Sequence, residues 1–161
     1  MLVHEIMSSP AITVSPTTEI RQVARLMREN VISGVPVVES DGTLLGLITE
    51  IELIARNAPV HEPRYLAVLS ALIPVNLEEY RQYKEQLRQA LAISAVDLMR
   101  DDVKTIGPNE PIEEALEAML DPEVTMMPVV EEGRVIGVVT RTDLVRLIET
   151  LEAAPDEPPG A

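Results

Sequence analysis

The chain contains two copies of one sequence pattern, and this duplication limits the folds open to it. In each copy a glycine opens an apolar run, a threonine ends it, and an acidic residue follows three positions later. Gly46 and Glu52 bound the first copy of this pattern, and Gly137 and Asp143 bound the second. Upstream residues match at a separation of 92 positions, which a one-residue deletion later reduces to 91. The matched pairs include Met7 with Met99, Pro16 with Pro108, Met27 with Met119, Pro36 with Pro128 and Gly42 with Gly133. Such a repeat predicts two copies of one structural unit.

Both copies have the same order of strand and helix patterns. In the first copy, Ile20, Val23, Ala24 and Met27 recur at the spacing of one helical face. The elements predicted around it are strands at 11–14, 35–39 and 44–48 and a closing helix at 50–56. The second copy repeats them with strands at 103–106, 127–131 and 134–139, a helix over 112–119 and a closing helix at 142–151. The sequence therefore predicts an α+β fold made of two β-α-β-β-α repeats.

The size of each repeat predicts that the copies pack on each other. A unit of about 55 residues gains only marginal stability from its own burial. The hydrophobic fraction of 46% suffices for a core, which must be aliphatic because the chain has no Phe or Trp. We expect the two repeats to pack pseudo-symmetrically and to leave clefts, one of them beside Asp143.

The repeats leave two parts of the chain unassigned. Residues 1–55 form the first repeat and residues 94–151 the second, with an insert at 56–93 and a proline-rich tail at 152–161. Within the insert, residues 65–73 are apolar at helical spacing, and Asn76 with Glu79 has the spacing of a capping box, so two helices are predicted. They either pack over one edge of the repeats or build a subunit interface. The tail is predicted to be disordered.

Composition argues against several classes of partner. The formal net charge is −14 and no Lys/Arg cluster is evident, whereas nucleic acids and anionic membranes both attract cationic proteins. The chain has no cysteine, and His4 and His61 are isolated, so no metal site is expected. No run approaches the roughly 18 apolar residues of a membrane span, and no signal-like apolar core opens the chain. We expect a soluble, cytoplasmic protein that requires no cofactor.

The motifs and their order resemble those of tandem cystathionine-β-synthase (CBS) domains, small regulatory modules that occur in pairs. The resemblance rests on Val3-His4-Glu5-Ile6-Met7 and Val96-Asp97-Leu98-Met99, on Val35-Pro36-Val37-Val38 and Met127-Pro128-Val129-Val130, and on the two Gly-x-x-Thr-x-x-acid segments. It implies a pair of domains that forms a homodimer and binds an adenosine-containing ligand, such as AMP, ADP, ATP or S-adenosylmethionine. It also implies an effector protein of unknown identity, because no effector domain is attached.

The resemblance also implies which residues hold the ligand. In the family, the threonine contacts ribose or phosphate, the aspartate holds the ribose hydroxyls, and adenine lies against the first strand and the Val-Pro-Val strand. The second-copy residues are Thr105, Ile106, Met127, Pro128, Thr140 and Asp143, with Arg141 as the cation for a phosphate. Those of the first copy are Thr13, Val14, Val35, Pro36, Thr49 and Glu52. Glu52 replaces the aspartate, and its extra methylene is expected to push the carboxylate outward, so the second copy is the better candidate.

Three functions stay open at this stage. The first is a regulatory module that binds an adenosyl ligand without transforming it. The second is a scaffold with empty clefts, because a threonine followed three residues later by an acid is also an ordinary helix cap. The third is an enzyme, which is disfavoured because no nucleophile, metal set or paired catalytic carboxylates can be assembled. With few basic groups, a monophosphate or an adenosyl group is expected to bind at least as well as a triphosphate.

Overall fold

The chain folds into two compact units that do not follow the linear order of the repeats. The structure is a computed structural model that describes residues 1–68 and 71–153, without the side chains of 66–68 and 71–73. One unit, here the C-terminal unit, combines Met1–Thr13 and Val38–Leu44 with the chain from Asp102 onward. The other, the central unit, combines Val14–Val37 with Leu45–Asp101. The segment that leads into each repeat thus packs with the body of the other repeat.

The central unit carries the first helix and hairpin. Its elements are α1 (Ile20–Asn30), β1 (Gly34–Val38), β2 (Leu44–Thr49) and α2 (Glu50–Asn57), with β1 and β2 paired. Val14 forms a parallel bridge to Val37 on one side of this pair, and Arg100 forms an antiparallel bridge to Leu47 on the other. Ile20, Val23 and Met27 of α1 are buried, as their spacing predicts, whereas Ala24, predicted on the same face, is exposed. The core also contains Val14, Val35, Val37, Ile48, Ala92, Ala95 and Leu98.

The insert differs from the prediction in its first half. Tyr65–Val68 and Ala71–Pro74 form two antiparallel strands, β3 and β4, so the helix predicted at 65–73 is wrong. A short apolar run does not distinguish a strand from a helix by periodicity alone. The second helix is confirmed as α3 (Leu77–Ala90), where the Asn76 side chain accepts a hydrogen bond from the Glu78 N–H at 2.9 Å. Helix α4 (Ala95–Leu98) follows and contributes buried side chains to the central unit.

The C-terminal unit repeats this arrangement. Its elements are a 3-10 helix (Val3–Glu5), α5 (Ile112–Ala118), β5 (Met126–Glu131), β6 (Arg134–Thr140) and α6 (Arg141–Glu152). Ile106 forms a parallel bridge to Val129 of β5, and Ser8 an antiparallel bridge to Val138 of β6. The strands predicted at 11–14 and 103–106 are therefore single bridges. The core consists of Val3, Ile106, Ile112, Ala115, Met119, Val124, Met127, Val129, Val139 and Leu144. The predicted tail lies outside the described residues beyond Ala153.

Candidate functional site

The junction between β6 and α6 holds a carboxylate in a fixed position. The backbone N–H and the hydroxyl of Thr140 both donate to Oδ2 of Asp143, at 2.8 and 2.7 Å. The Asp143 N–H lies 3.3 Å from the Thr140 hydroxyl oxygen, which closes a reciprocal capping box. Asp143 is only 7% exposed. One oxygen of this carboxylate is thus committed to the start of the helix.

The other oxygen of Asp143 has weaker partners. The Ser8 hydroxyl donates to Oδ1 at 3.4 Å, and Arg146 Nη1 lies 3.7 Å from the same atom. The Arg146 side chain is 69% exposed, so water screens its charge. Oδ1 is therefore the atom of this junction that is best able to accept hydrogen bonds from a ligand.

The strands beside this junction bring several predicted residues together. The Ile106 N–H donates to the Pro128 carbonyl at 3.1 Å, and the Val130 N–H donates to the Ile106 carbonyl at 2.9 Å. Pro128 is paired in turn with Val138 of β6, two residues before Thr140. Met127 and Pro128 are buried, whereas the Thr105 side chain is exposed. Ile106, Pro128 and the Thr140 junction therefore belong to one sheet within a single unit.

Arg141, predicted as the cation for a phosphate, makes hydrogen bonds within the unit. Its guanidinium donates to the carbonyls of Asp121 at 2.8 Å, Val124 at 3.2 Å and Met119 at 3.3 Å. These carbonyls lie at and just beyond the end of α5, where a helix leaves such groups without internal partners. Arg141 thus joins the end of α5 to the start of α6 through Nε and Nη2 of its guanidinium.

The corresponding junction of the central unit has its carboxylate neutralised. The N–H and hydroxyl of Thr49 donate to Oε2 of Glu52 at 2.7 and 2.6 Å. Oε1 of Glu52 lies 3.3 Å from Nε of Arg100, and Glu52 is only 4% exposed. This distance makes an ion pair, although the buried Nε of Arg100 has no partner with hydrogen-bond geometry within the described chain. The longer side chain of Glu52 therefore does not leave its carboxylate exposed, because the carboxylate is directed onto Thr49 and Arg100.

The remaining first-copy residues repeat the second-copy pattern. The Val14 N–H donates to the Pro36 carbonyl at 3.0 Å, and Val35 and Pro36 are buried. Thr13, which precedes Val14, is partly exposed and belongs to the C-terminal unit by its contacts. Arg100 occupies the position that Ser8 holds in the other copy, 92 residues earlier. Sequence reasoning missed this pair, although the 92-residue register contains the signal.

Among the described residues, neither histidine lies in a group of side chains that could hold a metal ion. The imidazole Nδ1 of His4 lies 3.0 Å from the Pro108 carbonyl oxygen, and the His61 side chain is exposed. Across residues 1–68 and 71–153, no three His, Asp or Glu side chains are grouped so that they could hold a metal ion. Within the same residues, no helix is both long and apolar enough to cross a bilayer.

The two duplicated units, each with a capped strand-helix junction, define a tandem-repeat α+β class, and comparison with known proteins identifies the family. The sequence model of the CBS domain matches residues 3–58 and 95–150, so the chain belongs to the CBS domain family. It is 33% identical to an uncharacterized protein from Methanocaldococcus jannaschii over 154 residues, which is 92% of this chain and 91% of the relative.

Two solved structures share this fold. One is CBSX2 from Arabidopsis thaliana in complex with AMP, with a TM-score of 0.75 and 20% identity, over 94% of this chain and 98% of that one. The other is the CBS domain pair of protein MJ0100 in complex with 5-methylthioadenosine and S-adenosyl-L-methionine. Its TM-score is 0.67 at 24% identity, over 94% of this chain and 98% of that one. The first structure with a similar fold contains AMP, and the second contains the two adenosyl compounds.

Proposed function

We propose that this protein is a regulatory module that binds an adenosine-containing ligand at the C-terminal unit and passes the signal to a separate effector protein. The ligand is AMP or a related adenosyl compound, and the protein acts as a homodimer without transforming it. The observation that carries the proposal is the contrast between the two carboxylates. Oδ1 of Asp143 has only a long hydrogen bond and a screened cation, whereas Oε1 of Glu52 is paired with Arg100.

The chemistry of the C-terminal unit suits a nucleoside. A carboxylate oxygen can accept both hydroxyls of a ribose edge, as dinucleotide sites do. The base would lie beside the strand segments at Ile106 and Pro128, and the exposed Thr105 side chain offers a hydroxyl. The adenosyl ligands of the two fold relatives support this class of ligand.

The supply of cations favours a ligand with little negative charge. Because the guanidinium of Arg141 is used within the unit, Arg146 is the cation nearest to Asp143. A net charge of −14 further disfavours a triphosphate. AMP and S-adenosylmethionine are therefore expected to bind at least as tightly as ATP. Competitive calorimetry that finds ATP tighter by tenfold or more would contradict this order.

Calorimetry on Asp143→Ala tests the site directly. Loss of hydrogen bonds to a charged group, worth roughly 1.5–3 kcal/mol, should weaken binding of AMP or S-adenosylmethionine by about 10- to 100-fold. Glu52→Gln, at the corresponding position of the central unit, is the matched control and should leave affinity unchanged. Circular dichroism checks that both variants fold. Equal affinity in the wild type and Asp143→Ala would place the ligand elsewhere.

A scaffold without ligand is the second candidate, because both junctions are already satisfied as helix caps. Thermal shifts separate the two functions. A ligand present at 100 times its dissociation constant adds about 2.7 kcal/mol of stability and raises the melting temperature. Unchanged melting with AMP, ADP, ATP, S-adenosylmethionine and NAD would favour the scaffold.

A further inference from the structure

Two of the seven methionines have surroundings that the others do not share. Met1 is 55% exposed at the start of the chain. Met7 and Met99 are partly exposed, lie 92 residues apart at the same position of the two repeats, and pack against the cores of the two units. The other four are buried, with at most 8% of their surface exposed: Met27, Met119, Met126 and Met127.

In the C-terminal unit, the sulfur of Met7 lies against a glycine beside the carboxylate junction. A Cβ on Gly137 would lie 2.8 Å from Sδ of Met7, so the thioether fills the place of a side chain. The next residue, Ser8, pairs with Val138 through N–H to carbonyl hydrogen bonds of 2.9 and 3.0 Å. The Ser8 hydroxyl reaches Oδ1 of Asp143 at 3.4 Å. The contact of Met7 with the glycine thus fixes the segment that faces this carboxylate.

The central unit has the same arrangement around Met99. A Cβ on Gly46 would lie 2.6 Å from Sδ of Met99. The next residue, Arg100, pairs with Leu47 through two N–H to carbonyl hydrogen bonds of 2.9 Å. Nε of Arg100 lies 3.3 Å from Oε1 of Glu52. In each unit, a partly exposed sulfur therefore precedes and supports the residue that faces the carboxylate.

We propose that Met7 and Met99 are oxidation sites through which a peroxide loosens both junctions. The thioether sulfur attacks one peroxide oxygen, so that an S–O bond forms, the O–O bond breaks and the sulfur loses two electrons. The displaced hydroxide takes the proton of the transferred oxygen and leaves as water. The product is methionine sulfoxide, which is polar and which methionine sulfoxide reductases convert back to the thioether. The modification is therefore reversible.

A sulfoxide does not suit the place of either thioether. It adds an oxygen to a sulfur that already lies against backbone, and such crowding displaces the neighbouring segments. The carbonyl oxygens of Ser8 and Arg100 lie beside the same glycines. They accept hydrogen bonds, as a sulfoxide oxygen does, and so cannot pair with it. Oxidation should therefore draw the residue after each methionine away from the carboxylate that it faces.

Peptide mass spectrometry of the full chain treated with hydrogen peroxide tests the selectivity. Met7 and Met99 should gain an oxygen before the four buried methionines do, because the peroxide must reach the sulfur. Met1 should be oxidised with them and serves as the reference for an exposed thioether. Oxidation of the buried methionines at the same rate as Met7 and Met99 would overturn the proposal.

Hydrogen exchange tests the structural consequence. The amides of Ser8 and Arg100 should exchange about tenfold faster or more in the oxidised chain, because crowding favours local opening of their strand pairing. The amides of Ile106 and Val14 are the controls, since they donate to the other strand of the same two hairpins and should keep their rates. Treatment with the two methionine sulfoxide reductases, one for each epimer, should restore the original rates. Unchanged rates at Ser8 and Arg100 after both sulfoxides have formed would contradict the proposal.

Leucine variants assign the effect to the two sulfurs. Met7→Leu with Met99→Leu keeps a similar volume and should fold, and its exchange rates should not respond to peroxide. Met27→Leu with Met119→Leu, at equivalent buried positions of the two repeats, is the matched control and should respond as the wild type does. A response of the first variant equal to that of the wild type would overturn the proposal. None of these results depends on ligand binding at Asp143.

Discussion

At the scale of single residues, close backbone approach explains the glycine of each repeated motif. A Cβ placed on Gly137 would lie 2.8 Å from Sδ of Met7 and 2.9 Å from the Ser8 carbonyl oxygen. The corresponding atom on Gly46 would lie 2.5 Å from the Arg100 carbonyl oxygen. The segment that leads into each repeat therefore passes directly over the glycine of the other repeat, and the sequence alone does not show this exchange.

Gly137→Ala is expected to destabilise the C-terminal unit. The added methyl group must displace the backbone at Ser8, and overpacking of this kind costs typically 1–3 kcal/mol. Urea unfolding measures the loss as a lower midpoint at an unchanged slope. Gly107→Ala is the control, because its Cβ would meet only the Glu110 side chain at 3.5 Å. Equal stability of Gly137→Ala and the wild type would mean that Met7 and Ser8 do not pack as described.

At the scale of elements, the spacing of apolar residues predicted the helices and strands that bury one face. It failed for a short segment whose residues are nearly all apolar. The buried face of α1 and the hairpin of β5 and β6 follow from apolar spacing and from the turn at Gly133, whose φ is +79°. Segment 65–73 has an apolar run that fits either period, and the structure pairs it as a hairpin.

Helix α4 is capped by the carboxylate of Asp97, and protonation at low pH should weaken this cap. Asp97 Oδ2 accepts hydrogen bonds from the Ser94 N–H and hydroxyl at 3.0 and 2.9 Å and from the Ile93 N–H at 3.2 Å. Hydrogen bonds from the backbone and hydroxyl of Ser94 lower the pKa of this carboxyl below its ordinary value of 3.8. A lowered pKa means that the folded state binds the proton less readily than the unfolded state. The ionised carboxylate of Asp97 therefore stabilises the fold fully above pH 3.8, its ordinary pKa. This stabilisation is lost as the pH falls through the lowered pKa of the folded state.

Comparison with Asp97→Asn tests this dependence. The variant should be less stable than the wild type at pH 6, and the difference in melting temperature should shrink as the pH falls below about 3.8. Thermal unfolding followed by circular dichroism at several pH values gives the two curves. Curves that stay parallel through the acid range would show that Asp97 does not cap α4 through its charge.

At the scale of the whole molecule, the sequence shows the duplication but not which segments of the chain make up each unit. The 92-residue register predicts two similar folds, and the family match confirms two CBS domains. It does not reveal that residues near Ser8 pack with the second hairpin and residues near Arg100 with the first. This exchange decides which side chain faces each carboxylate, and so it produces the difference between Asp143 and Glu52.

That difference predicts one ligand per chain. In the wild type, calorimetry with AMP or S-adenosylmethionine should give a stoichiometry near one, because Arg100 neutralises Glu52 in the central unit. Glu52→Asp with Arg100→Ser copies the arrangement of Asp143 and Ser8 and should raise the stoichiometry toward two. The reverse exchange, Asp143→Glu with Ser8→Arg, should remove binding, since a buried ion pair would then occupy the carboxylate of the C-terminal unit. A stoichiometry of two in the wild type, or no change in either exchanged variant with its fold intact, would show that the Arg100 ion pair does not control ligand binding.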